Sequence, residues 1–392
     1  MQKTSMHVLV IPTWYPNGKD KLIGIYHKQF AEALATSGCK VGMLYIDRQG
    51  VKQWPRYPFM KKRYRISENG YVTYARRMPD LTKISYSLQM KSYRRVLDRL
   101  LREYIKDNGR PDVLHAQVAV PAGYAAVSLG KKYGIPVVIT EHASYFERFF
   151  TGREGQYCRY ALENADAVTC VGDFMLEGYK RHGIKATVLP NIVDCSIFRQ
   201  PKTKADDGRL HLITVSALRP GKRIDDAIMA LKRLKEEDRL PDFLYTVVGD
   251  GAKEAELKAL AEREKMTDNV VFVGRKTREE IAALLAGADV LLMVSDIETF
   301  GIPAVEALAA GVPVVSTKCK GPEAFLTPDV SELCPCGSVS ALADAIDRMV
   351  KRLATISEET VRATADRYDA PAVAQSAKEL YADCLSRKKS NA

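Results

Sequence analysis

Short apolar runs alternate with segments of helical periodicity along most of the 392 residues, and this alternation limits the chain to few architectures. The runs at 7–11, 136–140 and 212–215 are rich in β-branched residues, and a helical pattern follows each of the three. A chain of this kind buries its strands in parallel sheets that helices cover on both faces. The sequence therefore predicts an α/β protein.

Two series of these strand and helix units indicate two domains. The second series begins at Leu210, and the polar stretch 198–208 before it has no apolar period, which predicts a linker. We expect an N-terminal domain at 1–195 and a C-terminal domain at 196–370. A last helical segment, within 371–392, is expected to cross back to the N-terminal domain.

Composition excludes several other classes of protein. With 46% hydrophobic and 27% charged residues, the chain resembles an ordinary globular protein rather than a disordered one. No apolar run approaches the roughly 18 residues of a membrane-spanning helix, and the first residues do not resemble a signal peptide. The eight cysteines lack the spacing of a metal site, so we expect reduced thiols and no metal. These features predict a cytoplasmic protein that is at most peripheral on the inner face of the cytoplasmic membrane.

The positive charge of the chain is concentrated in one segment. Residues 51–110 hold sixteen Lys and Arg against five Asp and Glu, which equals the excess of +11 in the whole chain. The same segment carries Trp54, Phe59 and seven tyrosines. Basic residues interleaved with aromatic ones suit an anionic membrane surface or a nucleic acid, and a solvated basic face is the third interpretation. We favour the membrane surface and expect no nucleic acid.

Two loops that follow predicted strands are the first candidates for a ligand site, because parallel sheets bind ligands beyond the carboxyl ends of their strands. The loop at 12–27 contains no GxGxxG, so it lacks the dinucleotide fingerprint, but Gly24 would let a ligand approach the start of a helix. Gly24 equally fits a simple turn. In the loop at 215–225, Arg219, Lys222 and Arg223 are suited to neutralise a diphosphate, or to remain solvated.

The stretch from Ser295 to Gly311 is the most specific of the motifs. Pro303 suits the first position of a helix and Gly311 its end, which places Glu298 in the preceding loop and Glu306 in the first turn. The two carboxylates then flank the free N–H groups at the helix start, which favour phosphate. A nucleoside-diphosphate sugar has a matching pattern of phosphates between hydroxyl-rich rings. An acidic first turn that only complements the helix dipole is the alternative, and a divalent metal is disfavoured because no further ligand lies nearby.

Several ordered motifs together resemble family 4 of the retaining glycosyltransferases, which have the GT-B fold. They are Glu298 and Glu306 with seven residues between them that include Phe-Gly-Ile-Pro, the segment 247–251 (VVGDG) with 269–274 (NVVFVG), the segment 190–194 (PNIVD), and the loop 11–16 with Gly24. The resemblance covers nearly the whole chain and is weakest at 51–110. It implies two Rossmann-like domains that face a central cleft.

The resemblance also implies roles for individual residues. Glu306 would accept the ribose hydroxyls, and Glu298 would contact the transferred sugar. Lys222 would supply charge to the diphosphate, whereas Ala217 stands where the family commonly has an arginine, so Arg219 is a less secure replacement. The implied catalytic residues are His142, Lys222 and Glu298, and the implied donor-binding residues are Gly24, Arg219, Lys222, Gly274, Arg275, Glu298, Phe300, Gly301, Ile302 and Glu306.

The function expected on this basis is transfer of a sugar, with retention of configuration, from a UDP-sugar or, less favoured, a GDP-sugar. The acceptor would be a saccharide, linked to a lipid, in surface polysaccharide or glycolipid synthesis. No cofactor and no metal are expected. The alternatives are a GT-B sugar-nucleotide epimerase or hydrolase, and an inactive GT-B scaffold that binds a membrane surface.

Overall fold

The computed structural model describes residues 5–16, 23–143, 145–203 and 207–390. The chain divides into two compact units, the first formed by 1–192 with 370–392 and the second by 193–369. The sequence predicted borders after residues 195 and 370. These lie three residues and one residue, respectively, C-terminal to the borders in the structure. Positions 17–22 of the predicted loop 12–27 and positions 204–206 of the predicted linker lie outside the described residues, as does Ser144.

The first unit contains an eight-stranded sheet in the order β3-β4-β2-β1-β5-β6-β7-β8. All neighbouring strands are parallel except the pair β3 and β4. The strands are β1 His7–Pro12, β2 Lys40–Gln49, β3 Arg63–Glu68, β4 Tyr71–Pro79, β5 Val113–Gln117, β6 Val137–Glu141, β7 Ala167–Cys170 and β8 Thr187–Val188. The helices are α1 Ile25–Thr36, α2 Tyr86–Asn108, α3 Tyr124–Tyr133, α4 Gly155–Glu163, α5 Phe174–Arg181 and α13 Ala370–Ser390.

The second unit contains a six-stranded, fully parallel sheet in the order β11-β10-β9-β12-β13-β14. Its strands are β9 Leu210–Val215, β10 Phe243–Val248, β11 Val270–Gly274, β12 Val290–Met293, β13 Val314–Thr317 and β14 Ser331–Cys334. Its helices are α6 Cys195–Phe198, α7 Ile224–Glu236, α8 Glu254–Arg263, α9 Arg278–Ala286, α10 Ile302–Ala309, α11 Val339–Arg352 and α12 Glu358–Ala365. Numbered within the unit, this strand order is 3-2-1-4-5-6, the order of a Rossmann fold.

Each unit has its own apolar core. In the first unit, α13 packs into the core that also holds α1 and the strands β1 and β2, through Val373, Ala377 and the fully buried Tyr381. In the second unit, α7 and α11 cover strands β9, β10 and β12, and Leu231 and Ile346 are fully buried there. The α/β class and the two Rossmann-like sheets predicted from the sequence are confirmed.

One feature of the chain path was not expected from the sequence, and one expectation is wrong. The basic segment 51–110 holds the hairpin of β3 and β4 and the long helix α2, so one edge strand breaks the parallel pattern. The polar stretch 198–208 is not the connection between the units. Phe198 is fully buried in the second unit, and the N–H of Thr203 donates to the carbonyl of Ala286 at 3.0 Å, which attaches residue 203 to the end of α9.

Candidate functional site

In each sheet the strand order reverses at one place, and that place directs where a ligand can bind. The reversal lies between β1 and β5 in the first unit and between β9 and β12 in the second. Loops that leave adjacent strands at such a switch point run in opposite directions and open a crevice. In the second unit these loops carry Lys222, after β9, and Glu298, after β12. In the first unit they carry Gly24, after β1, and Gln117 at the end of β5.

Lys222 and Glu298 form an ion pair in the second unit. Both side chains are largely buried, at 14% and 16% exposed. The hydroxyl of Ser295 donates to the same carboxylate oxygen of Glu298 at 2.7 Å. The backbone of Glu298 is fixed as well, since its N–H donates to the carbonyl of Cys319 at 2.7 Å and its carbonyl accepts from Gly321 at 3.0 Å. The fold therefore brings these two predicted residues together from two different loops, and backbone hydrogen bonds fix the loop of Glu298.

The amino end of α10 lies directly beyond Glu298. Gly301 takes a left-handed φ of 92°, and a Cβ there would lie 2.6 Å from Cγ of Pro322, so only glycine fits. The helix starts at Ile302, and within the described residues the N–H groups of Phe300, Gly301 and Ile302 have no acceptor. The ring of Phe300 is buried against Phe325, so Phe300 can meet a ligand only through its backbone.

The helix start corrects one expectation. Because Gly301 is the N-cap, Pro303 occupies the second helical position, and Glu306 lies in the second turn of α10 rather than in the first. Gly311 follows the helix with a left-handed φ of 76°, as a helix end requires. Glu306 is buried there, with 6% of its surface exposed.

Glu306 has a partner that the sequence analysis missed. The guanidinium of Arg278 lies 3.5 Å from its carboxylate, and burial, opposed by Arg278, raises the pKa of Glu306 to about 7. Arg278 is the first residue of α9, whose start is fixed by a capping box between Thr277 and Glu280. That Thr-x-x-Glu pattern is visible in the sequence and could have placed Arg278 at a helix start beside the site.

The two loops after β9 and β10 are held together closely. The N–H of Leu218 donates to the carbonyl of Asp250 at 2.8 Å. A Cβ on Gly249 would lie 1.9 Å from the carbonyl oxygen of Ser216, so this approach requires glycine. Gly274 joins the group through its carbonyl, which accepts from Gly249 at 2.9 Å, and Arg275 donates to the Asp250 carboxylate at 3.1 Å. Gly274 and Arg275 thus lie at the same edge as Lys222.

The other two cations of the predicted diphosphate loop differ from each other. Arg219 is exposed and has no ion-pair partner among the described residues. Arg223 is engaged by acidic residues of its own unit, with Asp226 at 2.7 Å and Asp296 at 3.5 Å. It supports the loop rather than presenting a free charge. Of the three cations in the loop at 215–225, Lys222 and Arg219 are therefore the two that could approach a ligand.

Gly24 of the first unit has a structural reason to be glycine. It is the N-cap of α1 with a left-handed φ of 67°, and a Cβ would lie 2.6 Å from the backbone oxygen of Trp14. The simple-turn interpretation of the sequence therefore accounts for Gly24 without a ligand. A role in donor binding stays a prediction.

His142 lies at the carboxyl end of β6 in a polar, enclosed setting. Its Nδ1 is 3.0 Å from Oδ1 of Asn191, and its Nε2 is 2.7 Å from the side-chain oxygen of Gln117. Tyr26 packs beside its ring at 4.7 Å. Burial lowers the pKa of His142 to about 3, so the imidazole is neutral at physiological pH.

A neutral imidazole donates only one hydrogen bond, which settles the orientation of Gln117. Its Nε2 is buried without a partner, and exchanging the amide oxygen and nitrogen lets that nitrogen donate to Nε2 of His142. His142 then donates from Nδ1 to Asn191. The exchange also leaves a buried amide oxygen facing His27, whose ring nitrogens otherwise lack partners among the described residues.

The sequence analysis missed that the half-buried His142 lies in a cluster with two fully buried histidines, His27 and His115. His27 lies 4.8 Å from His142, and burial lowers the pKa of His27 well below its usual value. His115 bonds to Tyr381 at 2.6 Å and to Thr140 at 2.7 Å, and its pKa falls to about 3. None of the three carries a positive charge at neutral pH. Glu141, the last residue of β6, is buried beside these histidines and accepts from the N–H groups of Ala119, His142 and Ala143. The carboxyl edge of the first unit therefore combines neutral imidazoles with one buried carboxyl group.

Comparison with known protein families assigns both units. The model of Glycosyltransferase Family 4 matches residues 23–197, and the model of Glycosyl transferases group 1 matches residues 197–362. The two matches are contiguous and fall on the first and second units. The chain belongs to family 4 of the glycosyltransferases.

Relatives of this glycosyltransferase include enzymes with different named products. It is 28% identical over 254 residues to N-acetyl-alpha-D-glucosaminyl L-malate synthase of Bacillus anthracis, covering 61% of this chain and 65% of the relative. It is 26% identical over 230 residues to alpha-monoglucosyldiacylglycerol synthase of Streptococcus pneumoniae, covering 52% of this chain and 51% of the relative. The match therefore spans between half and two thirds of these curated relatives.

A solved structure confirms the GT-B fold over nearly the full length. The crystal structure of Anabaena HepE in complex with UDP superposes with a TM-score of 0.72, covering 96% of this chain and 100% of HepE at 18% identity. This likeness establishes the architecture of the family 4 protein and leaves its substrates to the argument from its residues.

The described residues provide neither a cluster of metal ligands nor a membrane-spanning helix. Across the described ranges, no three His, Cys, Asp or Glu side chains are grouped in a way that could hold a metal ion. Seven of the eight cysteines are buried free thiols and Cys336 is exposed. In the same ranges, no helix of the glycosyltransferase has the length and apolar character needed to cross a bilayer.

Proposed function

We propose that this family 4 protein is a retaining glycosyltransferase that moves a sugar from a nucleoside-diphosphate sugar to a saccharide acceptor. The observation that carries the proposal is the largely buried Lys222–Glu298 pair beside the unpartnered amides of α10. A cation, free N–H groups and a helix amino end at one point favour a diphosphate. The adjacent carboxylates suit the hydroxyl groups on either side of it.

Lys222 is the residue we assign to the leaving group. Its ammonium is held by Glu298, so the site without ligand keeps the charge paired. A bound diphosphate offers Lys222 a stronger acceptor, and the amides of Gly301 and Ile302 would hold the same phosphates. As the sugar departs, negative charge develops on the diphosphate, and these groups stabilise it without further rearrangement. Arg219, exposed on the same loop, adds charge at longer range.

Glu306 and Glu298 are assigned to the hydroxyls of the donor. Glu306 would accept the ribose hydroxyls, and Arg278 at 3.5 Å keeps its carboxylate oriented. Glu298, already an acceptor for Ser295, would accept hydroxyls of the transferred sugar. The backbone of 274–275, at the end of β11, would contact the base. A UDP-sugar is favoured over a GDP-sugar, because HepE, which has the same fold, binds UDP.

The proposed chemistry keeps the configuration of the sugar by attack on the face from which the diphosphate leaves. The bond between the anomeric carbon and the diphosphate oxygen breaks, and the acceptor oxygen bonds to that carbon. The acceptor proton passes to a phosphate oxygen of the leaving diphosphate. No protein side chain forms a covalent intermediate, and the charge of Lys222 and α10 replaces that of a metal. His142, which is neutral, serves as a hydrogen-bonding residue and not as a base.

The first unit is proposed to bind the acceptor, a saccharide that is linked to a lipid, in surface polysaccharide or glycolipid synthesis. One relative is named alpha-monoglucosyldiacylglycerol synthase, which makes lipid-linked acceptors the first class to test. The neutral polar groups at the carboxyl edge of the first unit suit a hydroxyl-rich ligand better than an ionic one.

The test is an assay of the full chain with UDP-, GDP- and ADP-sugars, with and without lipid-linked saccharides, in the presence of a chelator. We expect transfer only with acceptor, retention of the anomeric configuration by NMR, and no loss of rate with the chelator. Full turnover of a sugar nucleotide without acceptor would show a hydrolase or epimerase instead. If the protein binds nucleotides but turns over none of the donors, the enzymatic assignment is contradicted.

A further inference from the structure

The carboxyl edge of the first unit carries an apolar and basic surface that the transfer reaction does not use. It consists of two segments that we call the basic edge, residues 51–62 and 83–88. The first contains a single 3-10 helix, Val51–Phe59, in which no residue is buried although it holds Val51, Trp54, Tyr57 and Phe59. Apolar residues that the fold leaves uncovered, set among cations, call for a partner.

The two segments leave the sheet at the same end. Strand β2 ends at Gln49 and the parallel strand β4 ends at Pro79, and these two residues are paired in register. The chain enters the 3-10 helix directly after β2, and it reaches Lys83 and Ile84 directly after β4. The basic edge is therefore one continuous region at the carboxyl end of the sheet.

Four large apolar side chains of the basic edge are open to solvent. The exposed fractions are 91% for Phe59, 64% for Ile84, 50% for Val51 and 44% for Leu88. The aromatic residues between them fix the backbone, since Trp54 Nε1 donates to the carbonyl of Gln49 at 3.0 Å and the Tyr57 hydroxyl donates to the carbonyl of Arg77 at 3.3 Å. The 3-10 helix is thus anchored to the sheet while Phe59 stays in solvent.

The charge around these side chains is positive and uncompensated. No Asp or Glu occurs from 51 to 67, and the neighbouring acids Asp47 and Asp80 are paired with Arg77 and Arg48. Across the described residues, no ion pair involves the cations that the basic edge contributes, which are Lys52, Arg56, Lys61, Lys62 and Lys83. Their charge is free to meet an anionic partner.

We propose that the basic edge docks the protein on the surface of an anionic lipid bilayer. Phe59, Ile84 and Val51 would enter the boundary between head groups and acyl chains, and the five cations would meet the lipid phosphates. A nucleic acid is disfavoured because three of the four large apolar side chains that are open to solvent, Ile84, Val51 and Leu88, are aliphatic and cannot stack on bases. The proposal does not depend on the transfer reaction, so either can fail without the other.

The test is co-sedimentation of the full chain with vesicles of phosphatidylcholine alone and vesicles that also contain phosphatidylglycerol. We expect binding to the anionic vesicles that weakens with salt. Each lysine at the surface contributes about fivefold to partitioning, so Lys61→Gln with Lys62→Gln should lower binding about 20- to 30-fold. Phe59→Ala should lower it about tenfold, because an apolar anchor is lost.

A matched control removes the same charge elsewhere in the first unit. Lys106, in the last turn of α2, and Lys185, before β8, are exposed and lie at the amino edge of the sheet. Lys106→Gln with Lys185→Gln should leave binding to anionic vesicles within twofold of the wild type, because these charges face away from the bilayer. The folding of each variant is checked by thermal unfolding.

Three outcomes would overturn the proposal. The first is equal binding to neutral and anionic vesicles or none to either. The second is an equal loss in the control and in the Lys61 and Lys62 variant. The third is binding to a single-stranded or duplex oligonucleotide that requires Lys61 and Lys62 while vesicles are not bound, which would assign the basic edge to nucleic acid.

Discussion

The two sheets share the order of six parallel strands, β4-β2-β1-β5-β6-β7 in the first unit and β11-β10-β9-β12-β13-β14 in the second, but their carboxyl edges hold polar groups in different ways. In the second unit, charges are buried and paired, Lys222 with Glu298 and Arg278 with Glu306. In the first unit, the central group is His142, which is neutral and hydrogen-bonded to two amides. The buried carboxyl beside it, Glu141, is held by backbone N–H groups rather than by a cation among the described residues. The five cations of the basic edge lie further out on the same side of the sheet.

This difference indicates a division of labour that the common fold does not require. Buried charges are costly unless they are paired, so a fold retains them where a charged ligand can replace one partner. Neutral hydrogen-bonding groups suit hydroxyls and have no such cost. We therefore assign the diphosphate to the second unit and the uncharged part of the reaction to the first. The predictions that follow test the contrast, from the largest expected effect to the smallest.

Removing the charge of Lys222 should have the largest effect. Lys222→Met should lower turnover by about 100- to 1,000-fold, because the departing diphosphate loses a preorganised cation. Steady-state kinetics with a saturating donor measures this change. The control Lys258→Gln breaks an exposed pair with Glu254 on α8 of the same unit and should leave turnover unchanged.

The loss in Lys222→Met could also come from an unpaired, buried Glu298. The double variant Lys222→Met with Glu298→Gln removes both charges, so it should recover thermal stability but not activity. Recovery of turnover in the double variant would mean that Lys222 serves the fold and not the leaving group.

Gly24→Ala tests whether Gly24 is structural. The added Cβ would lie 2.6 Å from the Trp14 oxygen at a left-handed φ, so the free energy of unfolding of the first unit should fall by about 2–3 kcal/mol. The control is Gly38→Ala, which has a φ of 87° but no atom within 4 Å and should cost about 1 kcal/mol. Equal costs in chemical denaturation would show that the contact with Trp14 is unimportant.

The raised pKa of Glu306 predicts a dependence of stability on pH. A carboxyl whose pKa rises from 4.5 to about 7 on folding stabilises the fold below pH 4.5, and this contribution is lost as the pH rises through about 7. Glu306→Gln, which cannot ionise, should match the wild type at pH 5 and exceed its stability by roughly 1–3 kcal/mol at pH 8. If thermal unfolding shows the same stability difference between Glu306→Gln and the wild type at pH 5 and at pH 8, Glu306 is not a buried carboxyl that ionises in this range.

The neutral state of His142 predicts the smallest effect. Because its pKa is about 3, the pH profile of turnover should show no His142 inflection between pH 5 and pH 9. His142→Gln should lower the rate about fivefold through a lost hydrogen bond and leave the midpoints of the profile in place. A midpoint near pH 6 or 7 that disappears in His142→Gln would make His142 an acid or base and remove the contrast between the units.

Much of the fold could be predicted from the sequence because period and turn chemistry are local. The β-branched runs gave strands such as β1 and β9, and Gly311 marked the end of α10. The hairpin of β3 and β4 was not predicted, although β3 alternates in exposure with the period of a strand, because the prediction for the segment 51–110 used only its charge and aromatic content. The linker was misplaced because the burial of Phe198 depends on packing against α9 and α10, which no local pattern shows.

The candidate site was predictable in its residues but not in its electrostatics. Spacing placed Glu298 and Lys222 on loops that leave neighbouring strands. The pairing of Arg278 with Glu306 joins two helices far apart in sequence, and the neutral state of His142 follows from burial and from the amides of Gln117 and Asn191. The Arg278–Glu306 pair and the neutral state of His142 both depend on tertiary structure. The exposure of Phe59 to solvent depends on it as well.

The central claim is that the carboxyl edge of the second unit binds the diphosphate of the donor through Lys222. Titration calorimetry with UDP, on the wild type, Lys222→Met and the Lys258→Gln control, tests it most directly. We predict that UDP binds the wild type and the control equally and binds Lys222→Met about 10- to 100-fold more weakly. Equal affinity of Lys222→Met and the wild type for UDP would contradict the account.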